Sequence, residues 1–160
     1  MAYSDFLFSS VAAGVVATGG MTFLMHVITE LEITNADMVK AIGSIVTRSL
    51  KFAWPVGMVL HLSAGIAFAI LYVGLFTFTN PQRLADLVGT GAVFGAAHGF
   101  VVTLLLVTVV AKRHPLKEFR EAGLFVGAAH FFGHVLYGAL VGLVAGFMGL
   151  GLAGRMNLEP

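Results

Sequence analysis

Four long apolar stretches constrain the fold of this chain more than any other feature of its sequence. They cover about residues 6–28, 52–78, 87–111 and 122–150. Each can cross a hydrocarbon core about 30 Å thick, because a helix needs about 20 residues to do so. A strand with open edges would leave backbone groups without partners in lipid, so each stretch is expected to be helical. The sequence predicts an all-α integral membrane protein: a four-transmembrane-helix up-and-down bundle, with residues 1–160 as one transmembrane domain.

The composition supports this class and narrows the chemistry. Hydrophobic residues make up 58% of the chain and charged residues 11%, against about 25% charged residues in an ordinary soluble domain. There are no cysteines, so any metal must be held by His, Met, Asp or Glu. No span combines a nucleophile with a base and an orienting carboxylate, so we expect no catalytic residues for hydrolysis, and at most a redox subunit. The net charge of +1 gives no reason to expect nucleic acid as a partner.

The basic residues predict an orientation. Only Arg83 and Arg155 lie outside the two connections that join spans 1 and 2 and spans 3 and 4. Lys and Arg in short loops are retained on the cytoplasmic side. We therefore expect a multi-pass protein of the bacterial inner (cytoplasmic) membrane with both termini periplasmic. The seven basic residues in the two connections are Lys40, Arg48, Lys51, Lys112, Arg113, Lys117 and Arg120.

The connection between spans 1 and 2 has the pattern of a short helix. Apolar residues recur at helical spacing from Met38 to Val46, and residues that cap helices precede them, including Asp37. We expect an interfacial helix on the membrane surface; the alternative is a plain polar loop. In the other connection, Pro115 should end the preceding helix, and the adjacent His114 is expected at the surface.

Four of the six histidines are predicted to share the middle of the membrane. With a rise of 1.5 Å per helical residue, they lie about 12–20 Å from the cytoplasmic ends of their spans. Met21 lies at a similar level, and His26 lies nearer the cytoplasmic surface. Ionisable side chains within spans are costly and usually face the bundle interior, so they are candidates for a functional site. The four central residues are His61, His98, His130 and His134.

These imidazoles suit a transition metal. The central part of each span contains no Asp, Glu, Lys or Arg, so the rings should be neutral, which is the form that binds metals. His130 and His134 lie four residues apart on one helix face, like the paired ligands of zinc proteases but without the following Glu. The predicted cofactor-binding residues are His61, His98, His130 and His134, and the predicted metal set adds Met21 and His26, for Cu, Fe or Zn.

Haem b is the other cofactor that this pattern favours. A weak internal repeat aligns span 2 with span 4, which pairs His61 with His134, and span 1 with span 3, which pairs Gly14 with Gly91. Haem b needs two axial groups on facing helices and small residues where the macrocycle touches backbone. The glycines near the histidines are Gly57, Gly65, Gly95, Gly99 and Gly133.

The functional hypothesis is a membrane protein that binds a transition metal or haem b for electron transfer, or as a redox or accessory subunit. One alternative is a soft-metal-ion transporter that uses a series of methionines and histidines. Another is a purely structural subunit without a cofactor, in which buried histidines bond across helices and pairs such as Gly138 and Gly142 let helices approach closely. The expected partners are the lipid bilayer and either a homo-oligomer or other membrane subunits. The transport series is Met25, His26, Met58, His61 and His98.

Three segments carry a resemblance to known proteins. AAGVVATGGMTFLMHV in span 1, HLSAGIAFAILYVGLF in span 2 and HVLYGALVGL in span 4 resemble small bacterial inner-membrane proteins with four spans and no assigned activity. The resemblance implies a place in the bacterial inner membrane. It implies no chemistry.

Overall fold

The computed structural model describes residues 3–149, and every regular element among them is a helix. Four helices are long and apolar enough to cross a membrane, as predicted. The predicted end of the fourth span at residue 150, and Arg155, lie outside the described residues. The elements are α1 (Tyr3–Glu30), α2 (Met38–Thr47), α3 (Ala53–Thr79), α4 (Leu84–Leu105), a π-helical turn (Leu106–Val110), α5 (Ala111–Arg113), a 3-10 turn (Lys117–Phe119) and α6 (Leu124–Phe147).

Local signals fix the ends of the short helices. The Asp37 carboxylate accepts a hydrogen bond from the Lys40 backbone N–H at 3.1 Å and caps α2. The helix ends at Arg48, which has a left-handed φ of 52° and donates its backbone N–H to the Ser44 carbonyl. Pro115 follows the end of α5, as predicted. The short helix predicted in the first connection is therefore present, while its place on a membrane surface stays a prediction.

Close glycine contacts join α4 to α6 in the most extensive helix interface among residues 3–149. A Cβ atom at Gly91 would overlap the Gly138 carbonyl oxygen, and one at Gly138 would overlap the Gly91 carbonyl oxygen. A Cβ atom at Gly142 would likewise overlap the Leu87 carbonyl oxygen. Small residues four apart let two backbones approach in this way. The predicted close contact at Gly138 and Gly142 is confirmed.

The α1–α3 interface repeats this arrangement at the positions that the internal repeat aligns. Gly14, which corresponds to Gly91, lies against the Gly65 carbonyl oxygen and the Ala69 side chain. Gly65 and Ala69 correspond to Gly138 and Gly142 in the alignment. The two hairpins therefore use the same small residues for the same contact, which supports the internal repeat.

Aromatic side chains close the bundle between α3 and α4. The helices lie in the order α3, α1, α6, α4, and the backbones of α3 and α4 make few close contacts. Phe76 stacks on Phe94 with 5.7 Å between ring centroids, and Tyr72 meets Phe94 edge to face at 5.6 Å. Phe68 packs on the His98 ring at 3.9 Å. Large rings thus fill the space between α3 and α4, whereas glycine contacts bring the helices together in the α4–α6 and α1–α3 interfaces.

The two basic connections pack on each other at one end of the bundle. His114 joins them, since its Nε2 lies 3.0 Å from the Ala41 carbonyl oxygen of α2. His114 is only 2% exposed, so the expectation that it lies at the surface is wrong. The reason is that α2, which carries Ala41, folds back onto the start of α3. The Val39 carbonyl oxygen lies against Gly57 there, and the Ala53 carbonyl oxygen lies against Gly43. This end of the bundle, residues 31–52 and 114–123, is called the connection side below.

Candidate functional site

His130 and His134 are held in the same tautomer by the backbone of α6. The Nδ1 atom of His130 lies 2.8 Å from the Val126 carbonyl oxygen, and that of His134 lies 2.7 Å from the His130 carbonyl oxygen. A carbonyl oxygen only accepts, so each Nδ1 carries the proton and donates it. In a neutral ring, the Nε2 lone pair is then free. Metal-bound histidines commonly have this arrangement, in which a backbone carbonyl fixes one nitrogen and the other binds the ion.

His61 contains a buried nitrogen without a partner. Its Nε2 atom makes no hydrogen bond with any residue from 3 to 149. The residue is only 9% exposed. A buried polar atom left unpaired costs about 1–3 kcal/mol, so the ring needs an explanation beyond packing. Two hydroxyl oxygens on α1, Thr18 Oγ1 and Thr22 Oγ1, are unpaired in the same sense.

One hydrogen bond fixes the relative height of His61 and His134. The Tyr137 hydroxyl donates to the Gly65 carbonyl oxygen at 2.5 Å and joins α6 to α3. His61 precedes Gly65 by four residues and His134 precedes Tyr137 by three. Both rings therefore lie about one helical turn towards the connection side from this bond. The pair suggested by the internal repeat shares one level of the bundle.

His98 adjoins this level from α4. Its ring lies edge to face with the His134 ring, with 4.6 Å between centroids. Its Nδ1 atom is 3.2 Å from the Tyr72 hydroxyl oxygen, so the ring has a partner inside the protein. Tyr72 is not among the site residues predicted from the sequence. Its spacing of 11 residues from His61, about three turns on the same face of α3, was the available signal.

Two methionines of α1 reach the same region, whereas His26 does not. Met21 and Met25 are 1% and 2% exposed, and their terminal methyl groups lie against Gly133, next to His134. The His26 side chain is 65% exposed, and its Nδ1 atom lies 3.9 Å from a Glu30 carboxylate oxygen. Among the predicted ligands, Met21 is therefore close to the central imidazoles, and His26 lies towards the connection side.

The packing around the histidines does not fit a haem. A macrocycle needs open space beside small residues, but each glycine near the histidines is covered by protein atoms. Neither main cavity found among residues 3–149 is lined by His61, His98 or His134. The contacts are Gly57 with Val39, Gly65 with Thr18, Gly95 and Gly99 with His134, and Gly133 with Met25 and Met21.

For a bare ion, the arrangement limits the ligand set. Within the part of the chain that the structure describes, no group of three or more His, Asp or Glu side chains is placed to hold a metal ion. This conformation thus leaves a pair of imidazoles with a nearby thioether as the available set. That His61, His98, His130, His134, Met21 and His26 are ligands stays a prediction.

The two main cavities found among residues 3–149 are both lined in part by residues of the connection side. One, of about 440 Å³, lies beside the π-helical turn Leu106–Val110, and Ile42, Val126 and His130 are among the residues that line it. The other, of about 700 Å³, lies between α1, α2 and the start of α3. The second is called the α1–α3 cavity below.

Fold and site together define an all-helical protein with four helices suited to cross a membrane and with imidazoles and thioethers at its centre. Comparisons with known protein families, with curated proteins and with solved structures found no match. The resemblance to small four-span bacterial proteins therefore stays an expectation from the sequence.

Proposed function

We propose that this chain is a membrane protein that binds a soft transition-metal ion, copper(I) in first place, between His61 and His134. Met21 supplies a thioether nearby. The ion serves electron transfer, either in this protein alone or as an accessory subunit of a redox complex. The observation that carries the proposal is the unpartnered, buried Nε2 atom of His61, at the same level as His134, whose own Nε2 lone pair is free.

One metal ion can bind the Nε2 atoms of both His61 and His134. With Nδ1 of His134 bonded to a carbonyl, the Nε2 atom of the neutral ring keeps a free lone pair. An ion that accepts lone pairs from His61 and His134 satisfies the buried His61 Nε2 atom, for which residues 3–149 provide no hydrogen bond, and uses the free lone pair of His134. The carbonyl that holds His134 Nδ1 then acts as the outer partner that fixes the ring of a metal ligand.

The donor types favour copper(I). Soft thioether ligands select copper(I) over magnesium, calcium and manganese, and imidazole suits copper as well as zinc and iron. Structural zinc takes four ligands in a tetrahedron. Copper(I) is stable with two or three donors, which matches two imidazoles and one thioether. The apolar surroundings would also tune the redox potential of the ion by excluding water.

We also place the protein in the bacterial inner membrane, with both termini periplasmic and α2 at the cytoplasmic surface. Seven of the nine basic residues support this orientation. The contact of His114 with Ala41 supports it too, because it joins the two basic connections at one end of the bundle. Large apolar side chains such as Phe23, Phe78 and Phe100 are exposed and would face lipid, a second copy or another membrane subunit.

A purely structural role is the competing explanation. The hydrogen bond between His98 and Tyr72 joins α4 to α3 and would contribute about 0.6 kcal/mol to helix association. His130 and His134 each have a backbone carbonyl partner within α6. That role accounts for these three rings. It does not account for His61, whose burial without a partner would weaken the bundle.

The test is copper binding by the purified protein. Protein in mild detergent is loaded with copper(I) under reducing conditions, passed over a desalting column and analysed for copper. We expect about one copper per chain, and His61→Gln and His134→Gln should each lose it. The control is His114→Gln, which keeps an N–H donor for the Ala41 carbonyl and should bind normally. An absence of bound copper, or equal retention in all three variants, would overturn the proposal.

A further inference from the structure

We infer that the α1–α3 cavity is a hydrated vestibule that admits cations from the connection side and leads them to the level of His61. The cavity has a volume of about 700 Å³. Its lining runs from Glu30, Asp37 and Lys40 at the mouth to Thr18 and Val15 at the inner end. Only the identity of the cation, copper(I), rests on the proposed function. Hydration and preference for cations stand on the cavity itself.

Two unpaired hydroxyls at the inner end indicate water. Thr18 and Thr22 both line the cavity, and neither Oγ1 atom has a hydrogen-bond partner among residues 3–149. Thr18 is 1% exposed. A helical threonine often donates to the carbonyl four residues earlier, as Thr29 does to Met25 at 2.9 Å. The cavity is many times larger than the roughly 30 Å³ that one water occupies in the liquid, so ordered water can satisfy both hydroxyls.

Soft donors lie along the walls. Met25 and His26 of α1 and Met58 of α3 all line the cavity. Thioether and imidazole groups bind soft metal ions. Weak sites spaced along a path let an ion move stepwise, because conduction requires binding that is favourable enough to enter and weak enough to leave. The walls of the vestibule thus suit the passage of a soft cation.

The mouth carries a net negative charge. Glu30 and Asp37 contribute two carboxylates, against the single ammonium group of Lys40. The Lys40 Nζ atom lies 2.7 Å from an Asp37 carboxylate oxygen. The hydrogen bond and charge of Asp37 raise the pKa of Lys40, so the ammonium stays protonated at neutral pH. Counting these three charges leaves one negative charge, and charge of one sign around a cleft concentrates ions of the opposite sign.

The inner end reaches the proposed ion site. A Cβ atom at Gly65 would overlap Thr18 Oγ1, so Thr18 lies directly against Gly65. His61 is one turn towards the connection side from Gly65. Because α1 runs antiparallel to α3, Thr22 lies one turn from Thr18 in that same direction. The unpaired Thr22 hydroxyl therefore shares the level of the unpaired His61 nitrogen.

Single cysteines test hydration and cation preference, since the natural chain has none. Thr18→Cys and Thr22→Cys are placed in lipid vesicles and treated with a cationic and an anionic methanethiosulfonate reagent of similar size. The control is Val16→Cys, on the same helix and 50% exposed but outside the cavity lining. Only a thiolate reacts, and a thiol in lipid does not ionise, so we expect the cationic reagent to modify Thr22→Cys more than about tenfold faster than Val16→Cys.

Either of two results in this assay would overturn the vestibule. Rates for Thr18→Cys and Thr22→Cys no higher than for Val16→Cys would show a dry cavity. Faster reaction with the anionic than with the cationic reagent would show that cations are not preferred. Neither result depends on copper, so failure of the vestibule can be told apart from failure of the proposed metal site.

A second assay measures passage of a soft ion through the vestibule. Silver(I) serves as the redox-inert probe, and its uptake by the purified protein is followed in time. Met58→Leu removes a wall thioether at similar volume, and should slow uptake several-fold while the final silver content per chain stays the same. The control is Met148→Leu. Met148 lies at the end of α6 that is far from the connection side, so this substitution should not change the rate. Equal rates for both variants would contradict a role for the wall thioethers.

Discussion

A single methyl group at Gly138 tests the packing that holds α4 against α6. In Gly138→Ala, the new Cβ atom would overlap the Gly91 carbonyl oxygen and lie close to the Gly95 backbone nitrogen. Both neighbours are backbone atoms inside a helix, so neither can rotate away. The two helices must separate, or the backbone must distort.

The size of the effect follows from this geometry. A carbon and a carbonyl oxygen in contact lie about 3.3–3.6 Å apart, so relief of the overlap requires these two atoms to separate by about 1.5 Å. A gap of about 0.5–1 Å already loses a quarter to a half of the dispersion attraction between facing atoms. Overpacking of a tight interface typically costs about 1–3 kcal/mol, and we expect the upper end here because backbone meets backbone.

The measurement is the free energy of unfolding in mixed micelles, from a denaturing-detergent titration followed by circular dichroism. The control is Gly89→Ala on the facing helix α4, where a Cβ atom would meet nothing within 4 Å among the described residues. We expect that variant to be neutral or more stable by up to about 1 kcal/mol, since alanine is the better helix former. Equal stability of Gly138→Ala and Gly89→Ala would refute the close contact.

Three further predictions concern single bonds and the orientation. Tyr137→Phe removes the donor to the Gly65 carbonyl and should cost about 0.6 kcal/mol in the same unfolding titration; it should also weaken copper binding, and an unchanged affinity would argue against the shared level of His61 and His134. Asp37→Ala removes the cap of α2 and should cost about 1 kcal/mol, against no loss for Asp37→Asn. A reporter fused after Pro160 should give a periplasmic signal, and a cytoplasmic signal would reverse the proposed orientation.

The sequence was sufficient for features that depend on composition and local spacing. Four helices long and apolar enough to cross a membrane followed from the length and apolarity of their stretches, because lipid leaves a backbone few alternatives to a helix. The cap at Asp37 and the break at Pro115 are local effects. The close contact at Gly138 and Gly142 was predictable because pairs of small residues four apart have a general packing consequence.

Features that depend on which distant residues pack against a given residue could not be predicted from the sequence. Gly95 and Gly99 suit a macrocycle and a neighbouring helix equally well, and only the structure shows that α6 occupies that space. His114 has polar neighbours along the chain, yet α2 packs against it from 73 residues away. The same limit applies to Thr18 and Thr22, because a missing hydrogen-bond partner is a property of the surroundings and not of spacing.

The most direct test of the metal site is X-ray absorption at the copper edge of the copper(I)-loaded protein. We expect a low-coordinate ion with two imidazole nitrogens, recognisable by multiple scattering from the rings, and a sulfur scatterer from Met21. His61→Gln should remove one imidazole from the spectrum if any copper remains bound. A spectrum without imidazole scattering, or one unchanged in His61→Gln, would contradict the proposal that His61 and His134 hold the ion.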